Sequence, residues 1–133
     1  MAVTGDNAAS LFLLETLIES YASHDESVID LHVLEALEAT RRRFAAEAQG
    51  RTFEPRLGDQ RVRDLFNGLC GASELLLGRA SDHIDDRRAE PSESIEIDTL
   101  IRCLKQLEKS VKLWSEQGGR KGYLLYIREF LPK

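Results

Sequence analysis

The chain has 133 residues, 42% hydrophobic and 31% charged, which is enough for one hydrophobic core of ordinary size, so residues 1–133 are expected to fold as a single domain. Three prolines, nine glycines and no low-complexity tract exclude a disordered or collagen-like chain. Aliphatic or aromatic runs such as Leu11-Phe12-Leu13-Leu14 are far too short to cross a membrane. The start, Met1 to Asp6, lacks the basic segment of a secretory signal, which makes the cytoplasm the expected compartment.

From Ala8 to Ala22 the apolar residues Ala8, Leu11, Phe12, Leu14, Leu17, Ile18, Tyr21 and Ala22 recur at helical spacing and predict a first helix, with Asp6 or Asn7 as its cap. Ser27-Val28-Ile29-Asp30 resembles a capping box. It opens a second helix, of about six turns, whose apolar face reads Val28, Leu31, Leu34, Leu37, Phe44, Ala45 and Ala48 before Gly50 ends it. Arg51 to Gly58 shows no apolar periodicity and reads as a loop. Asp59 then caps a third helix with the face Val62, Leu65, Phe66, Leu69, Cys70, Ser73, Leu76 and Leu77, ending at Gly78. Gly68 and Gly71 inside it predict a close helix crossing.

Arg79 to Ser94 is the longest irregular stretch. A fourth helix follows, capped by Ser94 or Asp98, with Ile97, Leu104 and Val111 in one heptad register and Leu100, Leu107 and Trp114 in the other. It is expected at the centre of the fold, with Leu107 on the core seam. Gly118-Gly119 ends it, and Tyr123 to Leu131 predicts a short fifth helix. The fold class is therefore all-α: a bundle of about five helices, four long and one short and C-terminal.

The net charge of −5 hides four blocks. Residues 1–40 carry −8, residues 41–63 carry +4, residues 64–98 carry −6 and residues 99–133 carry +5, with all five lysines in the last block. On helix four Arg102, Lys105, Lys109 and Lys112 recur at spacings of three, four and three and form one basic stripe. Opposite blocks are expected to face each other across the bundle, the stripe against Glu15 and Glu19 of helix one. The competing expectation is an anion site, because four like charges on one face are relieved by a bound phosphate chain or an acidic partner. Gly118-Gly119-Arg120-Lys121-Gly122 offers a second anion-binding element, its glycines allowing a nest of backbone amides beside two cations.

No catalytic motif is present. Cys70 and Cys103 lie 33 residues apart in apolar helical patterns and read as core residues. The residues three before His24, His32 and His83 are Tyr21, Ile29 and Ala80, which excludes the Glu-x-x-His pairs of a bundle metal centre, so neither metal nor cofactor is expected. Arg41-Arg42-Arg43 spreads over about 200° of helix and reads as a solvated helix end, not a nucleic-acid face. The expected function is a non-enzymatic helical protein-interaction module that self-associates as a homodimer through Tyr123, Tyr126, Ile127 and Phe130. The alternative is a binder of phosphate or RNA backbone through the stripe and the glycine turn.

Overall fold

A computed structural model describes residues 5–21, 29–79 and 94–116; of the helical residues, the side chains of 5–7, 18, 20, 21, 29, 30 and 114–116 are not part of that description. The described chain is all-helical: α1 (Gly5–Tyr21), α2 (Ile29–Ala48), α3 (Gln60–Leu76) and α4 (Ile97–Glu116), with no strand among these residues. None of these helices is long and apolar enough to cross a membrane. The fifth helix expected at Tyr123–Leu131 lies outside the described residues, as do Gly118–Gly122 and the acidic segment around His83.

The helices close a ring in which α1 and α2 each pack against both α3 and α4, and neither α1 with α2 nor α3 with α4 forms a comparable interface. Helix four is thus not central, contrary to expectation: every helix has two neighbours, and α2 and α4 share the most extensive contact. Three cross-links set the direction of α2 against α3. His32 lies 3.4 Å from Asp59, Arg43 3.1 Å from Glu74, and Glu47 2.7 Å from Arg79, so both helices ascend together. Parallel neighbours need a connection that returns the length of a helix. A 20-residue helix spans about 30 Å. Residues 49–59, extended at about 3.3–3.6 Å each, cover that distance and little more.

That return segment is a strap. Along it Phe53, Pro55 and Leu57 are half-buried and alternate with exposed Glu54 and Arg56, a period of two that the sequence reading of an aperiodic loop missed. Leu57 packs on the core. α4 runs the other way. The Ile95 amide donates to the Leu76 carbonyl at 2.8 Å, so α4 starts where α3 ends and descends as α2 rises.

One continuous core joins all four helices, with Leu13, Leu17, Leu37, Phe44, Leu65, Leu69, Leu100 and Leu104 each at most 1% exposed. On α3 the expected face is the buried one, and Gly71 is buried with it. On α4 Leu100, Leu104, Leu107 and Val111 are all buried, so the seam finds its partners, α1 and α2, within the chain. Two faces differ from expectation. α1 buries Ala9, Leu13, Leu14, Thr16 and Leu17 while Ala8 is exposed, because a stretch apolar on nearly every side lets the neighbours select the face. α2 buries Val33, Ala36, Leu37, Thr40 and Phe44, and Leu31, about 160° around the helix from Val33, is left 72% exposed.

The helix ends are closed locally. Asp59 Oδ1 accepts from the Arg61 amide at 2.8 Å, and Arg61 beside it holds this carboxyl below the ordinary carboxylate range. α2 and α3 end alike. Gly50 (φ 72°) and Gly78 (φ 78°) adopt the left-handed conformation while the amides of Arg51 and Arg79 reach back to Ala46 and Glu74 at 2.8 and 2.9 Å. At α1 the helix begins at Gly5, so Asp6 and Asn7 sit in its first turn instead of capping it.

Arg41 and Arg43 are not a solvated end. Arg41 Nε donates to Glu108 of α4 at 2.6 Å and Arg43 to Glu74 of α3 at 3.1 Å, while Arg42 stays exposed and pairs with Glu38 of its own helix. Because α2 sits between α3 and α4, the same angular spread that rules out a single basic face makes the first and third arginines interhelical ties. With Glu108 only 12% exposed, Glu108→Ala leaves Arg41 half-buried without its partner and is expected to cost about 1–3 kcal/mol. Removing Arg41 as well should recover part of that loss, and a double-mutant cycle by chemical denaturation measures it.

Candidate functional site

The outer face of α4 carries Arg102, Lys105, Lys109 and Lys112, all exposed. At 100° per residue the four fall within an arc of about 80°, opposite the buried line of Leu100, Leu104 and Val111. That placement follows from the helix itself: a heptad-spaced apolar seam turned inward leaves the intervening cations outside. Arg102 donates to Thr99 Oγ1 at 3.1 Å. Lys105, Lys109 and Lys112 have no carboxylate within 4.0 Å among the described residues.

The expected pairing of this stripe with Glu15 and Glu19 of α1 is therefore not the arrangement seen among the described residues. α1 does pack against α4, but Glu15 and Glu19 are exposed on its own outer side. The charge ties across the bundle come from α2's arginines and from Arg79, which takes Glu47 at 2.7 Å and Glu74 at 3.4 Å. The stripe is left as three like-charged ammonium groups spread over about 10 Å of helix.

Of the cysteines and histidines, Cys70, Cys103 and His32 fall among the described residues. Cys70 and Cys103 are buried and neither forms a disulfide. Burial pushes the Cys70 thiol up, against the opposing pull of Arg43 and Thr40, so it is held as a thiol and not as the nucleophilic thiolate. Arg43 covers the Phe44 ring at 4.7 Å from its centroid. His32 Nε2 faces Asp59, and its Nδ1 is buried without a hydrogen-bond partner. No group of three or more His, Cys, Asp or Glu among the described residues is placed to hold a metal ion. Of the other predicted site residues, Gly118, Gly119, Arg120, Lys121, Tyr123, Tyr126, Ile127 and Phe130 lie outside the described residues.

Two features escaped the sequence reading. Leu31 at 72% and Leu113 at 50% are the large hydrophobics exposed among the described residues. Leu113 was legible, since it falls off both heptad registers of α4; Leu31 was not, because a plausible apolar face includes it. The second feature is a cleft of about 330 Å³ between the outer face of α2 and the strap. Glu35, Glu38 and Glu54 rim it, with Arg42 and Arg56, over a floor that includes Phe53 and Leu57. No protein family, curated protein or solved structure matches this chain.

Proposed function

We propose that the chain is a non-enzymatic helical protein-interaction module that binds a carboxylate-rich protein surface through the outer face of α4. The observation that carries this reading is the solvent-facing line Lys105, Lys109 and Lys112, set opposite the core and without counter-charge among the described residues. Concentrating like charge on one face is unfavourable in the free protein, and an acidic partner relieves it. Leu113 adds exposed apolar surface at the end of the line, which suits a protein partner better than a phosphate chain.

The test is a titration of the purified chain with polyglutamate and with single-stranded RNA over a range of salt concentrations. Polyglutamate is expected to bind, its affinity falling as salt rises. Lys105→Glu with Lys109→Glu should weaken binding on the order of tenfold or more while the helix signal in circular dichroism is unchanged. Tighter binding to RNA than to polyglutamate would replace this reading with the phosphate-backbone alternative. Unchanged polyglutamate binding in the double variant would remove α4 from the account.

A further inference from the structure

We infer that the surface recognised by α4 belongs to a second copy of this chain: the outer face of α4 docks antiparallel on the outer face of α2 of the other copy, and the reverse contact forms at the same time around a two-fold axis. This rests on the carboxylate-binding reading of α4 and names the carboxylates. Glu35 and Glu38 are exposed on α2 and share a face with Leu31. On α4 the exposed residues Lys105 and Lys109 lead to Leu113.

Followed in opposite directions along their helices, the two patterns match. Glu38, Glu35 and Leu31 span about 10.5 Å, and Lys105, Lys109 and Leu113 span about 12 Å. Lys105 then meets Glu38, Lys109 meets Glu35, and Leu113 meets Leu31, the mismatch being well within the reach of a lysine side chain. The two exposed leucines each end a charged ladder, and the ladders have opposite sign. One contact therefore hides both apolar side chains and gives Lys105 and Lys109 a carboxylate each, Glu35 outright and Glu38 shared with Arg42 of its own helix.

The bundle makes this contact reciprocal. α2 and α4 are neighbours, so their outer faces lie side by side, and they run in opposite directions. α4 starts level with the end of α2, which puts the first half of α2 level with the second half of α4. A two-fold axis parallel to the helices preserves height and exchanges left for right. It sets the second half of α4 on the first half of α2 of the other copy, and the reverse pair likewise, so the assembly closes as a dimer. The cleft beside Glu35 offers an apolar floor for lysine methylenes with Glu54 at its rim. Arg42 lies further up the same face of α2 and limits the apposed stretch to residues 31–38 and 105–113.

Light scattering on the full chain across a micromolar concentration series tests this with Lys109→Glu and Glu35→Lys, both at exposed positions, so that circular dichroism should remain that of the wild type. The wild-type mass is expected to rise from 15.0 kDa toward twice that value with concentration. Each single reversal should raise the dimer dissociation constant on the order of tenfold or more, and an equimolar mixture of the two variants should recover wild-type association, because each faces a complementary charge in the other. A dimer indifferent to both reversals, or a mixture as weak as its components, overturns the inference. A wild-type chain that stays monomeric yet binds polyglutamate through α4 overturns this inference alone; one that stays monomeric and binds no polyglutamate overturns the function proposed above as well.

Discussion

Phe44→Ala is expected to lower the free energy of unfolding by about 3–5 kcal/mol, the range for removing a buried aromatic ring from a core that cannot collapse around the space. Phe44 is 0% exposed and is the largest fully buried side chain described. It lies on the α2 face that includes Val33, Leu37 and Thr40, the face turned toward α3 and α4. The Arg43 guanidinium, 4.7 Å from the ring centroid, loses its platform too. That contact is worth about 0.5–1 kcal/mol at a partly exposed site, so the cavity dominates. Phe44→Leu, which keeps most of the apolar volume, should cost clearly less. Urea denaturation with an unchanged m-value measures both. An alanine variant within about 1 kcal/mol of wild type would mean that Phe44 does not hold this core position.

Leu107→Ala should cost about 2–5 kcal/mol, whereas Leu113→Ala should leave the stability of the monomer within about 0.5 kcal/mol. The contrast is rotational. The two leucines are about 120° apart around α4. Leu107 is 3% exposed against α1 and α2, and Leu113 is 50% exposed. Measuring both at concentrations low enough to hold the chain as a monomer separates folding from association. Equal losses at the two positions would show α4 turned from the orientation described, and the cationic face would no longer point outward.

Much of this fold is written in local pattern. α3 is legible because its polar and apolar residues segregate cleanly, Asp59 stands before its first turn and Gly78 after its last. α4 is legible for the same reason, and so is its basic stripe, since spacings of three and four place side chains together on any helix wherever it packs. Chemistry of short range, capping and periodicity, needs no knowledge of the neighbours.

Other features depend on them entirely. Leu11 to Leu14 makes α1 apolar on nearly every side, so its periodicity is compatible with several rotations, and contact with α3 and α4 selects Ala9, Leu13 and Leu17. On α2, Leu31 and Val33 both extend a plausible apolar face, and the positions of α3 and α4 bury one and expose the other. The parallel course of α2 and α3, the strap that permits it, and the ties Arg41–Glu108 and Arg43–Glu74 join residues 31 to 67 positions apart.

The amino-acid order alone was thus sufficient for the four described helices, the glycine ends of α2 and α3 and the line of cations on α4, because each is decided within a few turns of chain. Which helices became neighbours was decided only by burying four apolar faces at once. That choice gave Glu108 of α4 and Glu74 of α3 to arginines of α2 and left Lys105, Lys109 and Lys112 facing solvent, because a charge is paired by whatever stands beside it in space and not by its place in the chain.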